Sequence, residues 1–390
     1  MSALRLLTLN AGSSSLKFAI YALSADLSLL LSGQVSGLGT KPQFQISGGA
    51  EAALRESWSE TSGMDAVLGR LFDWLEAAGW LEGLQAVGHR IVHGGLEFGA
   101  PTALTADVIG RLGSLSALAP LHQPANLRAV KIAAARLPSA LQVGVFDTAF
   151  HASQSRIARL YALPRALIDE GVLAYGFHGL SYDYIAGVLR EQEGPEAGGR
   201  VIVLHLGSGV SLCALDQGRS IATTMGFSAL DGPPMSTRSG SLDPGVVLHL
   251  MQAKGMSADA IADLLYNRSG LLGLSGISGD MLTLLSSSTA EAREALDVYV
   301  YRIAREIGSL AASLGGLDTL VFTAGVGEHA APIRRAIVEQ CSWLGARLDQ
   351  AANLAGGRCI SSPDSAVRIL VVPTNEQLVI ARGVLQLRST

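Results

Sequence analysis

The sequence has few cysteines and no cysteine motif. Cys213, Cys341 and Cys359 are the three that it contains, and no two of them form a CxxC pair. An odd number of scattered cysteines argues against a disulfide framework and favours a reduced protein. The first residues also lack the charged start, apolar region and cleavage site of a secretory signal. We therefore expect a cytoplasmic protein.

Long apolar runs and basic runs are absent as well. Glycine or a polar residue interrupts every strongly apolar run well short of the length that spans a bilayer, so no membrane segment is expected. The formal net charge is −4 and no cluster of Lys and Arg stands out. Proteins that bind the nucleic-acid backbone usually carry a basic face, so we expect no nucleic-acid partner.

Three common catalytic and nucleotide-binding motifs are missing. There is no GxxxxGK[ST] phosphate loop, and the glycine-rich segments do not have the GxGxxG spacing of a dinucleotide site. No GxSxG segment supports a serine hydrolase, although Ser14, Ser15 or Ser211 paired with a histidine remains an open alternative.

Apolar residues and glycines are abundant. The chain has 390 residues, of which 48% are hydrophobic, so it can form two or three domains with large cores. Its 45 glycines lie in discrete clusters between apolar runs. This placement is typical of tight turns and of backbone that approaches a ligand closely.

Two segments have the pattern of a β-hairpin with a glycine-containing tip. Leu4–Leu9 and Leu16–Tyr21 flank the first tip, and Val201–Leu206 and Val210–Leu215 flank the second. Strand-like runs elsewhere alternate with helical spacing, which indicates an α/β chain. The predicted helices are 64–78, 106–118, 125–137, 182–191, 257–265, 290–314 and 331–341, and the other predicted strands are 86–92, 142–146, 319–323 and 367–372. We read the two hairpins as the starts of two similar halves and place the border near 147–152.

Glycine clusters follow several of the apolar strands. Asn10–Lys17 combines small residues, hydroxyls and a lysine, which suits an anion. His205–Ser211 and Phe322–His329 place glycines directly after a strand, where nucleotides often bind in α/β folds. An ordinary polar hairpin is the alternative for the first cluster.

Four charged or titratable residues lie in apolar surroundings. Arg90 is in a strand-like run, Asp147 follows one, His178 precedes a glycine, and Arg238 is in a tight polar loop. Phosphoryl transfer requires cations and hydrogen-bond donors around the moving group, and the arginine fork suits both phosphate and carboxylate.

Structural roles are the alternatives for several of these polar residues. Asp147 could be a capping residue, and His122 and His151 could be hydrogen-bonded structural histidines. His89 and His93 are spaced like a helical zinc pair, but the segment is strand-like, so a shared helix face is not expected.

The chain resembles the acetate kinase family over nearly its whole length, from Leu7 to Ile380. Nine segments carry the resemblance in family order: Asn10–Lys17, Gly88–Gly95, Pro120–Asn126, Phe146–His151, Tyr175–Ser181, His205–Ser211, Thr224–Asp243, Phe322–His329 and Pro373–Gln377. The resemblance implies a duplicated ribonuclease H-like fold, as in actin, Hsp70 and sugar kinases, with two domains around a central cleft. The first, an acid-kinase domain, would comprise residues 1–150 and the tail 377–390. The second, a nucleotide-binding domain, would comprise residues 151–376.

The resemblance also implies roles for individual residues. The catalytic set would be Arg90, His122, Asp147, His178 and Arg238. The acid would contact Arg90, Val92, Leu121, Phe177 and Ala229. The nucleotide would contact Ser13, Ser15, Lys17, His205, Leu206, Gly207, Ser208, Gly209, Asp280, Met281, Leu282, Gly325, Val326, Gly327, Glu328 and His329. Asn10 and Glu376 would hold Mg²⁺, with Mn²⁺ as an alternative.

The activity implied is reversible, direct in-line transfer of the ATP γ-phosphate to acetate, giving acetyl phosphate and ADP. Propionate kinase and a non-catalytic nucleotide-binding relative are the alternatives, and a homodimer is implied. Ser208, Leu282 and His329 depart from the family's usual Asn, Arg and Asn. Ala229 stands where the family usually has Pro, which predicts a larger acid pocket and better acceptance of propionate.

Overall fold

The structure is a computed structural model, and it describes residues 4–12, 15–24, 26–39, 41–49, 53–58, 63–119, 122–194 and 198–389. The chain divides into two compact units. Met1–Phe150 and Asn375–Thr390 form the first unit, and His151–Thr374 form the second.

The first unit is built on an eight-stranded sheet. Its strands are β1 (Arg5–Ala11), β2 (Ser15–Ala22), β3 (Leu29–Ser36), β4 (Gln43–Gly49), β5 (Arg55–Ser57), β6 (Leu84–Ile91), β7 (Thr102–Ala103) and β8 (Leu141–Phe146). Its helices are α1 (Gly63–Ala77), α2 (Ala106–Ser114), α3 (Gln123–Arg136) and the C-terminal helix (Glu376–Ser389), with 3-10 turns at Leu115–Ala117 and Ala149–Ser153, the latter crossing into the second unit. The strand order is β5-β4-β3-β2-β1-β6-β8-β7, and β1, β6 and β8 are parallel.

Apolar side chains of the first sheet pack against helices on both of its faces. On one face, the core contains Leu7, Phe18, Phe44, Leu71 and Phe72, from the strands and α1. On the other face, residues such as Leu6 and Val143 pack against the C-terminal helix. Strands that are buried on both faces read as nearly continuous apolar runs, which is why β1 and β8 are recognisable in the sequence.

The second unit is built on a five-stranded sheet with the order β11-β10-β9-β12-β13. Its strands are β9 (Arg200–Leu206), β10 (Val210–Asp216), β11 (Arg219–Thr223), β12 (Thr319–Thr323) and β13 (Arg368–Val371). Its helices are α4 (Arg156–Arg159), α5 (Arg165–Asp169), α6 (Gly179–Glu193), α7 (Pro244–Gln252), α8 (Ala258–Asn267), α9 (Gly270–Ser275), α10 (Met281–Leu285), α11 (Ala290–Leu314), α12 (Ala324–His329), α13 (Ala331–Gln340) and α14 (Gln350–Leu354), with a 3-10 turn at Ser342–Leu344.

The two sheets share one strand pattern. Each contains an antiparallel set, β3-β2-β1 or β11-β10-β9, whose last member is followed by two parallel strands, β6-β8 or β12-β13. The predicted duplicated α/β fold with two hairpins is therefore confirmed. None of the described helices combines the length and the apolar character needed to cross a membrane.

Most predicted elements are present, with shifted ends. The helix predicted at 290–314 has those bounds, whereas the one predicted at 106–118 ends at Ser114 and continues as a 3-10 turn. The Phe322–His329 segment is not a glycine turn, since Ala324–His329 is a short helix. Strands β3, β4 and β5 and the C-terminal helix are among the elements that were not predicted.

Candidate active site

The polar residues predicted in the first unit meet at one edge of its sheet. Asn10 is the penultimate residue of β1, Arg90 is the penultimate residue of β6, and Asp147 directly follows β8. Because these strands are adjacent and parallel, their carboxyl ends lie at the same edge. The C-terminal helix begins at Glu376, whose side chain reaches Asn10.

These four residues form one hydrogen-bonded group, which we call the Arg90 network. Arg90 donates to Asp147 Oδ2 from Nε at 2.9 Å and from Nη2 at 2.5 Å. Its Nη1 donates to Asn10 Oδ1 at 3.2 Å, and Asn10 Nδ2 donates to Glu376 Oε2 at 2.7 Å. Both sides of the guanidinium are thus fixed, which holds its plane in one orientation.

Burial and pairing set the charges of the Arg90 network. Burial lowers the pKa of Arg90, but the carboxylates of Asp147 and Glu376 outweigh it and raise that pKa above its usual value. Burial raises the pKa of Asp147, with the guanidinium of Arg90 opposing the shift. Asp147 is 1% exposed, and its Oδ1 has no hydrogen-bond partner among the described residues. Its contacts are those of a residue that orients Arg90.

The other predicted residues of the first unit are spread around this edge. Lys17 is exposed and lies directly opposite Asn10 in the β1–β2 ladder, so both side chains are on one face. Ser15 begins β2, and buried Val92 follows β6. His122 occupies the position before α3. Two further predicted residues, Ser13 and Leu121, lie outside the described residues.

Two buried amides of α3 support this edge, and the sequence analysis assigned them no role. Asn126 accepts from the backbone N–H of Val92 at 3.0 Å and donates to the carbonyl of Ala11 at 2.7 Å. Gln123 accepts from the N–H of His93 at 3.1 Å and donates to its carbonyl at 3.0 Å. Asn126 therefore ties the ends of β1 and β6 together. The sequence signal for both is a pair of amide side chains, Gln123 and Asn126, close to Pro124 at the start of a helix.

In the second unit, His178 is held from two sides. It precedes α6 in a left-handed backbone conformation, with φ of 59°. Its Nδ1 lies 2.8 Å from Ser211 Oγ, and its ring stacks on His205 with centroids 4.2 Å apart. His205 and Ser211 are cross-strand partners in β9 and β10, so they form a platform on one face of that hairpin. His205 is fixed in turn by Ser181, 2.8 Å from its Nδ1.

Arg238 and His178 meet above Gly209. A Cβ atom at Gly209 would lie 3.1 Å from His178 Nε2 and 3.2 Å from Arg238 Nη2. Arg238 Nη1 donates to the carbonyl of Ala229 at 2.7 Å, which aims the guanidinium. The absence of a side chain at Gly209 thus leaves room beside an imidazole and a guanidinium, a donor pair suited to a phosphoryl group.

His151 fixes the segment that carries His178. Its Nε2 donates to the carbonyl of Phe177 at 3.0 Å, because a carbonyl oxygen can only accept. Its Nδ1 then accepts from Ser220 Oγ at 2.9 Å. A Cβ at Gly176 would lie 2.6 Å from the His151 ring, so glycine is required there. His151 has the structural role that the sequence analysis gave as its alternative.

A cavity of about 320 Å³ lies in the second unit, within the size range of small-molecule sites. Eight of its lining residues are among those predicted to contact a nucleotide: Gly207, Ser208, Asp280, Met281, Leu282, Gly325, Val326 and His329. Ser236, Leu271, Gly279, Tyr299 and Ala330 also line it and were not predicted. The predicted residues His205, Leu206, Gly209, Gly327 and Glu328 do not line it.

Arg334 supports one wall of this cavity and was also missed. It is 1% exposed and donates to the carbonyls of Gly327 and Glu328 at 3.0 and 2.8 Å, at the end of α12. It also donates to the side-chain and main-chain oxygens of Asn353. A buried arginine that pairs with carbonyls fixes α12 by hydrogen bonds and by its charge at the helix C-terminus. In sequence it is one of two adjacent arginines with no distinguishing motif.

Oxygen ligands are available for a divalent cation. No group of three or more His, Cys, Asp or Glu within the described ranges could hold a metal. His89 lies in strand β6 and its Nε2 bonds to Gln142 at 2.8 Å, so His89 and His93 share no helix face. The Arg90 network instead offers the Glu376 carboxylate, the Asn10 amide oxygen and the buried Asp147 Oδ1 that has no described partner. Few protein oxygens, completed by water and phosphate, are what Mg²⁺ usually takes, so these residues fit that ion.

Comparison with known proteins shows which family the chain belongs to. The family model described as the Acetokinase family matches residues 5–382. An acetate kinase from Rhodopseudomonas palustris (strain TIE-1) is 51% identical over 389 residues, covering 98% of each chain, and one from Rhizobium meliloti is 49% identical over 390 residues, also covering 98% of each.

Solved structures give the same result. A propionate kinase from Francisella tularensis is 34% identical, with a TM-score of 0.90 and coverage of 97% of this chain and 98% of that one. An acetate kinase from Porphyromonas gingivalis is 35% identical, with a TM-score of 0.85 and coverage of 99% and 100%. From the full-length match in both sequence and fold, the chain belongs to the acetokinase family.

Proposed function

We propose that this protein is an acetate kinase that transfers the γ-phosphate of ATP to acetate, reversibly, giving acetyl phosphate and ADP. The observation that carries the proposal is the 51% identity to an acetate kinase over 98% of both chains. The presence of Arg90, Asp147, His178 and Arg238 in ordered hydrogen-bonded settings supports it. A non-catalytic nucleotide-binding protein would have no need for all four.

The acceptor needs no general base in this reaction. Short carboxylic acids are ionised at neutral pH, so acetate is already a nucleophile. Asp147 therefore has no proton to take from the acceptor. Its role is to orient Arg90, because both Nε and Nη2 of Arg90 bond to it. Catalysis then consists of positioning and of neutralising the charge on the transferring group.

We assign that neutralisation to Arg90, Arg238 and His178, and the transfer to a direct in-line displacement. Arg238 and His178 present nitrogens beside Gly209, where an equatorial oxygen of the phosphoryl group would accept hydrogen bonds. Arg90 would bind the acid carboxylate, with Val92, Leu121, Phe177 and Ala229 as the apolar wall and His122 nearby. The transfer needs no covalent phosphoenzyme.

The nucleotide would occupy the cavity bounded by Gly207, Asp280 and Gly325. Leu282 is 67% exposed at its rim, where the family usually has a charged arginine. Leu282, Ser208 and His329 all differ from the family's usual residues at the nucleotide cavity. The preference for ATP over other phosphoryl donors is therefore the property that these residues would change. Ser13, Ser15 and Lys17 would face the phosphates.

A divalent cation fits the Arg90 network, and we propose Mg²⁺, with Mn²⁺ as the alternative. Glu376 and Asn10 would hold it, in part through water. When bound, the ion neutralises charge on the β- and γ-phosphate oxygens.

A hydroxamate trap tests the proposed function. The full chain is incubated with ATP, MgCl₂, hydroxylamine and acetate, propionate or butyrate in turn, and the acyl hydroxamate is measured. Acetyl hydroxamate that depends on both ATP and Mg²⁺ is the expected result. Binding of ATP without hydroxamate from any acid would instead indicate the non-catalytic relative.

Propionate kinase is the second candidate, and the similarity to the Francisella tularensis propionate kinase favours it loosely. The acid pocket carries Ala229 in place of the family's usual Pro, which would enlarge it. The ratio of kcat/KM for propionate to that for acetate separates the two candidates.

We also propose a cytoplasmic homodimer. Cys213, Cys341 and Cys359 are free, as in a reducing compartment. Helix α7 buries none of its residues and exposes Val246, Leu248 and Met251 at 40–52%, a patch suited to a second copy. Sedimentation velocity should give twice the 40.5 kDa chain mass, and Leu248→Asp should lower it towards the monomer. A wild-type monomer at micromolar concentration would refute the dimer.

A further inference from the structure

The loop of residues 224–243, between β11 and α7, contains no helix or strand and carries two residues of the proposed site. These are Ala229 and Arg238, and the carbonyl of Ala229 accepts from Arg238 Nη1 at 2.7 Å. The position of this guanidinium therefore depends on where the backbone at Ala229 lies. Because the loop has no strand ladder or helix to satisfy its backbone groups, bonds to other segments must fix it.

One peptide group of this loop, between Gly226 and Phe227, is bonded at both of its ends. The N–H of Phe227 donates to Tyr161 Oη at 2.7 Å. The carbonyl of Gly226 accepts from the N–H groups of Tyr175 and Gly176 at 3.0 and 3.3 Å. Since a backbone N–H can only donate, the phenol oxygen is the acceptor whatever the direction of its own O–H. Both ends of the peptide are thus held by one neighbouring stretch of the chain.

The absence of a side chain at Gly226 allows Tyr161 to approach. A Cβ atom at Gly226 would overlap Tyr161 Oη and would lie 2.7 Å from Asp231 Oδ2. Asp231 is fixed in turn, since its Oδ1 accepts from Ser241 Oγ at 2.7 Å and from the N–H of Gly232 at 2.9 Å. A side chain at Gly226 would therefore push the phenol away from the peptide that it bonds.

The stretch that holds this peptide also carries other residues of the proposed site. It continues from Gly176 to Phe177, which we assign to the acid pocket, and to His178. The bonds to the Gly226–Phe227 peptide therefore fix the backbone near Ala229 relative to the imidazole that faces the phosphoryl group.

We propose that Tyr161 is a positioning residue for the transfer: by holding this loop, it aims Arg238 at the phosphoryl group and sets the acid wall at Ala229. The proposal rests on the proposed function for the roles of Arg238 and Ala229, but the bond from Phe227 to Tyr161 does not depend on it. Tyr161 acts through the backbone of the loop, and we assign it no contact with either substrate.

Hydrogen–deuterium exchange of the full chain tests this bond without substrate or turnover. Mass spectrometry with fragmentation to single residues follows the amide of Phe227 in the wild type and in Tyr161→Phe, which keeps the ring and removes the acceptor. The amide should be protected in the wild type and exchange about fivefold faster in the variant, as expected when one hydrogen bond is lost. Equal exchange rates in the two proteins would overturn the proposal.

Kinetics of the same variant test the consequence for catalysis. Tyr161→Phe should lower kcat about 10-fold and raise the KM for acetate, because catalysis is sensitive to small displacements of a positioned group. The KM for ATP should stay within about twofold. The reason is that Ser236, the loop residue that lines the nucleotide cavity, has its own backbone bonds to Ser208 and Leu272. A role in folding alone would change the thermal denaturation curve without this difference between the two KM values.

Tyr184→Phe is the matched control, because it removes the hydroxyl of another half-buried tyrosine of this unit, on α6. It should keep the wild-type kinetics and the wild-type exchange rate at Phe227. Faster exchange at Phe227 with unchanged kinetics in folded Tyr161→Phe would show that catalysis does not use the bond, and would overturn the positioning role.

A double variant tests whether Tyr161 acts through Arg238. In the Arg238→Ala background, Tyr161→Phe should change kcat by less than about twofold, since no guanidinium is left to aim. The same loss of kcat in both backgrounds would show that Tyr161 acts by another route, which contradicts the proposal.

Failure of this inference can be separated from failure of the proposed function. A wild-type protein that protects the Phe227 amide but forms no hydroxamate from any acid would refute the activity, and with it the catalytic use of the bond. Acetyl hydroxamate formed at the wild-type rate by Tyr161→Phe would refute only the positioning role.

Discussion

At the scale of single residues, Gly209 is important because two predicted catalytic side chains lie beside it. Its missing Cβ leaves the space between His178 Nε2 and Arg238 Nη2, 3.1 and 3.2 Å away. These distances are tighter than ordinary contacts, so a methyl group would push one of the two nitrogens out of line. The fold can tolerate a shift of a few tenths of an ångström in these nitrogens. Catalysis is more sensitive, because the nitrogens must be aligned with the transition state.

Gly209→Ala should therefore lower kcat by about 10- to 100-fold while the protein stays folded. Gly110→Ala is the matched control, because Gly110 is in helix α2 and a Cβ added there would meet no atom within 4 Å. The control should keep full activity and gain a little stability, since alanine is the better helix former. Equal hydroxamate rates for the Gly209 variant and the control would show that the space is not used.

Ala229 fixes Arg238 through its backbone carbonyl, and we propose that its side chain sets the size of the acid pocket. Its carbonyl accepts from Arg238, and its small side chain is the basis for predicting a wider acid pocket. Ala229→Pro keeps the carbonyl and fills the pocket. The variant should show a lower ratio of propionate to acetate kcat/KM than the wild type, by about 10-fold if one methylene is excluded. An equal or higher ratio in the variant would reject the pocket hypothesis.

At the scale of elements, α12 depends on a residue that lies outside it. Arg334 bonds the last carbonyls of α12 and also both oxygens of Asn353. Arg334→Met would leave these buried carbonyls without donors, each at a cost of about 1–3 kcal/mol. We expect a lower unfolding temperature and weaker ATP binding, measured by calorimetry.

Arg335→Met is the control, because Arg335 is exposed and pairs with Glu339 across one helical turn. Equal ATP affinities for the two variants would contradict this role for Arg334.

At the scale of elements, three buried histidines make stability depend on pH: His89 in strand β6, His93 shortly after it, and His151 in the turn Ala149–Ser153. Burial lowers the pKa of His89, His93 and His151 to about 4. An unfolded histidine titrates near 6.5, so the unfolded chain binds the proton first as the pH falls. The stability that these neutral residues contribute is complete above about pH 6.5 and is lost as the pH falls towards 4.

His89→Gln should reduce this acid sensitivity by up to about 1.4 kcal/mol per pH unit between pH 6.5 and 4. Glutamine preserves a side-chain donor for Gln142, whose Oε1 accepts from His89 Nε2 at 2.8 Å. Urea unfolding of the variant and the wild type at pH 4.5, 5.5 and 7 measures the change. Parallel stability curves for the two proteins would show that His89 is not held neutral by the fold.

At the scale of the whole molecule, the apolar and glycine pattern of the sequence predicts the order of helices and strands better than it predicts their contacts. The hairpins β1–β2 and β9–β10 and the helix α11 could be predicted because apolar period and glycine position agree there. Strands β3 and β4 were missed, since their alternation is interrupted by Gly33 and by the glycines that end β4. The C-terminal helix, which packs on one face of the first sheet, was missed because its apolar positions give a weak amphipathic signal.

The candidate site shows the same division. Arg90 and Asp147 were candidates from their own sequence surroundings, and the family resemblance added the metal-binding role of Asn10 and Glu376. The bonding of all four depends on β1, β6 and β8 being neighbours, which no local pattern gives. His178 has a left-handed backbone, and His151 bonds to the carbonyl of the residue before it, which a sequence pattern does not predict. Three supporting residues bond to backbone groups: Gln123, Asn126 and Arg334. Every residue has a backbone carbonyl, and every residue but proline has an N–H, so the sequence does not show which residue will be the partner.

We propose that Arg238 and His178 of the second unit stabilise the charge of a phosphoryl group as it moves to a carboxylate. Hydroxamate formation from acetate by Arg238→Ala, beside the wild type and Arg347→Ala, tests it most directly. Arg347 is exposed and pairs with Asp364, so its variant controls for the loss of a positive charge. We expect a fall in kcat of about 100-fold or more for Arg238→Ala and wild-type rates for the control. A loss below about fivefold in folded Arg238→Ala would contradict it.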